Sequence, residues 1–172
     1  MRTAIVVAVL LALTSSVSAD DGTTPAKTDN AKFWSFHGLT LGASEATVKA
    51  AFPEFPCEND AHLRRCTATI NFKKRPGVLS DFKSSPVSLV FLEDKLVNIN
   101  IAVAPNAFDA SVKELTKAYG APLSDRKSTM KAGLIGRSVE NRMVTWHNGN
   151  STVRFEKYYQ NTGSSRLLYA LP

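Results

Sequence analysis

Long apolar runs, cysteine and histidine are all scarce in this 172-residue chain, and each scarcity removes a class of function. The one uninterrupted apolar stretch, Ala4 to Leu13, is too short to cross a bilayer as a helix, so no transmembrane segment is expected. Two cysteines cannot build a disulfide-dense scaffold or a four-thiolate zinc site. With three histidines and no C-x-x-C or H-x-x-x-H spacing, no metal and no cofactor is expected. Two residues separate Gly133 from Gly136 where a phosphate loop needs four, and Arg137 takes the place of its lysine. Gly42-Ala43-Ser44 is no nucleophile elbow, because Ala46 occupies the position of the second glycine. Acidic pairs such as Glu93-Asp94 sit in turn-like contexts without the apolar surroundings that raise a carboxyl pKa. No catalytic residue is assigned.

What is present starts at the N-terminus. Arg2, the short apolar run and the small residues leading to Val17-Ser18-Ala19 before Asp20-Asp21 have the order of a secretory signal peptide, residues 1–19, cut after Ala19. No cysteine stands at the cut to carry a lipid, so a free periplasmic or secreted protein is expected. Residues 20–31, DDGTTPAKTDNA, are polar and aperiodic and read as a disordered lead. The rest, 32–172, is long enough for one core, either as a single domain or as two similar halves, 32–104 and 105–172.

Charge is unevenly spread. Residues 20–60 carry three Lys/Arg against seven Asp/Glu, residues 61–85 six against one, and residues 86–172 eleven against seven. The basic focus is therefore Arg64, Arg65, Lys73, Lys74, Arg75 and Lys83. Such a focus suits an acidic partner. Nucleic acid is a poor candidate, because the aromatic residues are not interleaved with the charges as stacking platforms require.

The periodicities alternate between helix and strand. Phe33, Trp34, Phe36, Leu39 and Leu41 open the fold as a core cluster. Ser44 is the expected N-cap of a helix over about 44–52 with Val48, Ala51 and Phe52 on one face, stopped by Pro53. The chain is then expected to loop through the two cysteines into a strand over Thr67–Phe72 and a turn-rich link over Lys73–Ser85. Val87–Leu92 and Leu96–Val103 flank Glu93-Asp94-Lys95 as a hairpin, with Asn98 and Asn100 giving the second strand one wet face. Phe108, Val112, Leu115 and Tyr119 describe a second amphipathic helix ended by Gly120 and Pro122. Lys127–Arg137 has no clear period. Met143–Trp146 and Ser151–Glu156 form a second hairpin about Asn148-Gly149, and Arg166–Leu171 a last strand. Setting residue n against n+67 superposes Val48 on Leu115 and Phe52 on Tyr119, which suggests a repeated helix-plus-sheet unit. The expected class is α+β, with two helices packed on antiparallel sheet and the other face partly exposed.

The pattern G-L-T-L-G-x-S-x-x-x-V-x-x-x-F-P over Gly38–Pro53, followed by antiparallel strands, resembles the helix-then-sheet units of the β-lactamase inhibitor protein and of the small outer-membrane assembly lipoproteins of the SmpA/OmlA kind. Tyr119-Gly120-Ala121-Pro122, Trp146-x-Asn148-Gly149 and the closing Leu167-Leu168-Tyr169 are similar to a recurrent type of exported bacterial protein. The resemblance implies a binding or scaffolding role with no enzymatic residues to carry over, and it lacks the lipid-anchor cysteine of the lipoproteins.

The stretch FPEFPCENDAHLRRC, Phe52–Cys66, holds both cysteines and His62. As a metal site it has Cys57, His62 and Cys66 with Glu58 or Asp60, but not the tight spacing of closed zinc sites. As a nucleophile, either cysteine needs an open thiolate, and an exported thiol pair nine residues apart tends to close. A Cys57–Cys66 disulfide is expected, displaying His62, Arg64 and Arg65. His37 and His147 read as surface or hydrogen-bonded residues. The function expected is non-enzymatic binding of a protein partner as an inhibitor, an immunity-type protector or an assembly factor, with Arg64, Arg65, Lys73, Lys74 and Arg75 as contact candidates. A carrier of a lipid or small apolar ligand is the competing class, and a hydrolase with a dispersed site the third.

Overall fold

Turn chemistry and strand alternation place the hairpins. A computed structural model describes residues 34–172 apart from 61, 76, 81–83 and 133–135, so the expected signal peptide over 1–19, the expected disordered lead over 20–31, Phe33 and Lys83 lie outside the described residues. The protein is α+β, and one large antiparallel sheet dominates it. A small separate hairpin comes first, β1 (Ser35–Phe36) and β2 (Leu39–Thr40), turned by His37 and Gly38 at φ 51° and 88°. Helix α1 (Glu45–Ala51) follows, with Ser44 Oγ accepting from the Thr47 amide as its N-cap. The strands β3 (Cys57–Asp60), β4 (Leu63–Ile70), β5 (Ser85–Leu92) and β6 (Lys95–Val103) form a meander. Helix α2 (Phe108–Tyr119) leads to a second meander of β7 (Ser124–Ala132), β8 (Arg137–Asn148), β9 (Ser151–Glu156) and β10 (Ser165–Ala170).

β6 pairs antiparallel with β10, so the two meanders make one eight-stranded sheet in the order β3-β4-β5-β6-β10-β9-β8-β7. One face of it is sealed. Leu89, Ile99, Ile101, Leu167, Tyr169, Val153, Phe155 and Val144 are fully buried on that side and belong to one core cluster with Val48, Phe52, Phe108 and Leu115. Phe108, at the start of α2, packs its ring 4.4 Å from that of Phe155. Trp34 lies 4.1 Å from the Tyr119 ring, and Phe36 5.3 Å from that of Tyr169. Gly120, at φ 84°, ends α2, and its carbonyl accepts from Trp146 Nε1 at 3.1 Å.

The β5–β6 hairpin turns on Glu93 and Asp94, both at positive φ without a glycine. A two-residue turn of this hand needs left-handed backbone at both positions, which aspartate tolerates better than most residues. Asp94 gains a further role there, because its Oδ1 accepts the Glu45 amide at 3.0 Å and satisfies a donor in the first turn of α1.

Two segments differ from the sequence expectation. The cysteine stretch is a hairpin rather than a loop: Cys57 faces Cys66 across β3 and β4, their Cα atoms 4.0 Å apart and their sulfurs bonded. The strand thus starts at Leu63, and Phe72 falls in a short 3-10 turn beyond it. Lys127–Arg137, which lacks apolar periodicity, contains most of β7 and the start of β8. A polar edge strand carries no alternation to read, because neither of its faces has to be apolar.

The disulfide closes a short loop, with a sequence separation of nine. Replacing both cysteines by serine is expected to lower the unfolding free energy by about 2.5–3 kcal/mol on loop-closure entropy. Urea unfolding of the oxidised protein and of the double serine variant measures this, and equal midpoints would show that the edge hairpin is held without covalent help.

Candidate functional site

Strand alternation sends the five basic residues singled out in sequence to different places. Arg64 shares the core side of β4 with Cys66, and it pairs with Glu45 at 2.6 Å and donates to Asn59 Oδ1 at 2.8 Å. Arg65 points to the opposite face beside Glu58 and Val90. Lys73 and Lys74 are exposed in the 3-10 turn after β4. Arg75 folds back, 3.0 Å from Glu54 and 4.0 Å above the centre of the Phe52 ring. The run is contiguous in sequence but not in space.

Glu45 and the two cysteines bring one carboxylate oxygen and two sulfurs within 4.8 Å of one another. The sulfurs are bonded to each other, and Arg64 and Lys49 already neutralise the carboxylate at 2.6 and 2.8 Å. In this state the trio is a covalent staple beside an ion pair, without the free thiolates a metal site requires. Burial pushes the Glu45 carboxyl up, but hydrogen bonds from Lys49 and Arg64 outweigh it and hold the group below its ordinary range. His37 holds the Val78 carbonyl through Nε2 at 2.7 Å and stacks on Phe72, which makes it a structural histidine. His147 is exposed.

The face of the sheet opposite the core is of a different character. Across the ladders one row runs Thr67, Ser88, Asn100, Leu168, Arg154 and Thr145, and the next Thr69, Pro86, Ala102, Arg166, Glu156 and Met143, with Arg126 beyond it on β7. These positions are half-buried or exposed. Thr67, Thr69, Pro86, Ser88, Asn100 and Ala102 line a shallow concavity of about 440 Å³. The Oγ of Ser88 is covered and has no hydrogen-bond partner among the described residues.

One end of this open face is framed. Asn141 is buried and fully used: its Nδ2 donates to Glu156 Oε1 and the Tyr158 carbonyl, both at 3.1 Å, and its Oδ1 accepts the amides of Arg142 and Tyr158, both at 2.9 Å. That knot ends the β8–β9 ladder, while β7 and β8 continue as a two-stranded ribbon with Met130 opposite Val139 and Ala132 opposite Arg137. Tyr159 closes the adjoining rim, with the Arg166 guanidinium 3.8 Å above its ring.

On the core side of the same ribbon, Arg142 binds Asp125 through two nitrogens at 2.9 and 2.6 Å and Asp109 of α2 at 2.9 Å. This ties β7 and β8 to the first turn of α2. The arginine holds the Asp125 carboxyl below its ordinary value, and the two aspartates push Arg142 up. Arg126, Arg137, Arg154 and Arg166 escaped the sequence reading because they lie outside the basic focus of residues 61–85 and far from one another in the chain. The signal that could have found them is the period of two, which sets Arg154 between Val153 and Phe155 and so on the face opposite the core.

Comparison with protein-family models, with curated proteins and with solved structures returns no match.

A carboxyl with a lowered folded pKa contributes stability above its unfolded value and loses it as pH falls through the folded one. For Asp125 the ordinary value is 3.8, so wild-type melting temperature is expected to drop as pH falls from about 5 to below 3.8, and Asp125→Asn to flatten part of that drop. Thermal melts of both proteins across this range check it; parallel curves would show that the Arg142 pair adds nothing to pH-dependent stability.

Proposed function

We propose that this chain is an exported, non-enzymatic binding protein that meets a protein partner in the bacterial envelope or outside the cell, as an inhibitor, an immunity-type protector or an assembly factor. Both helices serve as the backing of the sheet, two similar α-β halves build it, and the opposite face is left for the partner. The observation that carries this reading is the open face itself. Seven strand spacings of about 4.8 Å and ladders of about six residues give a projected area on the order of 700 Å², close to the roughly 800 Å² per partner of a standard interface. Its composition fits as well: small polar residues and aliphatics among Arg and Tyr side chains, the types that anchor protein contacts.

The interior supports the same choice over a ligand carrier. Trp146, Tyr169, Phe36, Phe52, Phe108 and Phe155 fill the space beneath the sheet at no more than 1% exposure. The disulfide is compatible with an oxidising compartment, and the resemblance to inhibitor and assembly proteins implies a binding role.

Bulky substitutions on the open face decide the placement. Asn100→Arg with Thr67→Arg is expected to weaken partner capture from an envelope extract at least tenfold, about 1.4 kcal/mol, with the fold intact by circular dichroism. Reversal of Lys73, Lys74 and Arg75 to glutamate should leave capture within about twofold, a gap of a few tenths of a kcal/mol. The opposite ranking would put the interface on the basic run instead.

A further inference from the structure

The arginines of this protein divide by face. Arg64, Arg75 and Arg142, away from the open face, are each ion-paired within the fold, to Glu45, Glu54 and the Asp109–Asp125 pair. On the open-face rows and the ribbon that extends them, Arg126, Arg137, Arg154 and Arg166 share the β7–β8–β9–β10 end of the sheet with one carboxylate among the described residues, Glu156. Glu156 is engaged by Asn141, and Arg166 lies on the Tyr159 ring. Arg126, Arg137 and Arg154 are exposed, and their guanidinium groups have no ion pair or hydrogen bond among the described residues. These three belong to the β7–β8–β9 end of the sheet, not to the basic run of residues 64–75.

The same end has the apolar surface that charged contacts need around them. Met130 and Val139 in the ribbon, and Met143 where the ribbon joins the sheet, are half-buried on the open-face side, and strand alternation sets them on the same face as the three guanidinium groups. Thr129, Lys131, Ser138 and Glu140 take the other side of the ribbon, where Lys131 is satisfied by Ser138 Oγ at 3.0 Å and Lys127 by Glu140 at 3.1 Å. The ribbon is thus amphipathic in an unusual sense, with paired charges on one side and unpaired arginines with methionines on the other. Methionine adapts to irregular partner surfaces, and arginine binds carboxylates through two parallel hydrogen bonds.

We infer that the β7–β8 ribbon, with Arg126, Arg137 and Arg154, is the part of the open face that grips an acidic patch on a folded partner protein. This rests on the open-face reading and assigns the acidic contact within it. Pairing three exposed guanidinium groups with partner carboxylates supplies steering at long range and register at short range, while the Asn141 hydrogen bonds tie the base of the ribbon to Glu156 and the Tyr158 backbone.

A fluorescent decaglutamate peptide titrated against the full mature chain tests it. The expected result is saturable binding that weakens with salt, at least a tenfold loss in the Arg126→Ser, Arg137→Ser, Arg154→Ser triple variant, and less than a twofold loss in Lys73→Ser, Lys74→Ser. Hydrogen exchange with peptide bound should slow at β7 and β8. Equal losses in both variants would overturn the assignment, as would tighter binding of a heparin oligosaccharide or of phosphatidylglycerol vesicles than of the peptide at matched charge. If the triple variant binds peptide normally while Asn100→Arg with Thr67→Arg still blocks partner capture, the ribbon assignment falls and the open-face reading stands. If that pair also leaves capture unchanged, both fall. A thermal melt within about 2 °C of wild type for each variant excludes unfolding as the cause.

Discussion

The ladder between β6 and β10 is the contact on which the architecture depends. Each meander taken alone is a four-stranded sheet with an edge at its hydrophobic middle. The pairing of Ile101 with Leu167 and of Ile99 with Tyr169 converts those two edges into the centre of one sheet, where all four side chains are fully buried. An unpaired edge of that composition would be an aggregation template. The same ladder sets Asn100 beside Leu168 and Ala102 beside Arg166 on the other face, so the pairing that seals the core also makes the open face continuous.

The periphery is secured by different means at its two ends. At the β3 end, a four-residue edge strand is too short to hold by its ladder alone, and the Cys57–Cys66 bond ties it to β4. At the β7 end, the edge is nine residues long and polar, and Arg142 fastens it to α2 through Asp109 and Asp125. Lys127 and Lys131 on that edge blunt strand addition by a second sheet. Between the ends, the Tyr119 and Tyr169 hydroxyls share a 2.8 Å hydrogen bond, and burial pushes the Tyr169 phenol well up and the Tyr119 phenol up as well, so the pair stays neutral in the core.

Legibility followed hydrophobic contrast. Phe108, Val112, Leu115 and Tyr119 mark α2 without ambiguity, because a helix lying over a core needs one apolar stripe and the sequence shows it. The hairpin about Glu93-Asp94 and the strand alternation of β5 and β6 were equally plain. The β3 strand was not, because Cys-Glu-Asn-Asp has the composition of a loop, and only the covalent partner across the hairpin makes it a strand. β7 was hidden for the opposite reason: an edge strand of Asp, Arg, Lys, Ser and Thr offers no apolar face. The surface candidates were the least legible. A run of basic residues in sequence reads as one patch, yet alternate residues of a strand face opposite ways, and Arg64 and Arg65 end on different sides of β4.

By itself, then, the sequence determined the class of the fold, both helices with the Ser44 cap and the Gly120 stop, the two tight hairpins and the pairing of the cysteines. These are local decisions, set by propensity, turn chemistry and the periods of 3.6 and 2. Only the tertiary structure decided that the eight strands join in a single sheet through β6 and β10, and that arginines far apart in the chain gather on the face turned from the core. Those outcomes depend on register between residues far apart in sequence, and register is a property of the assembled sheet that no local window contains.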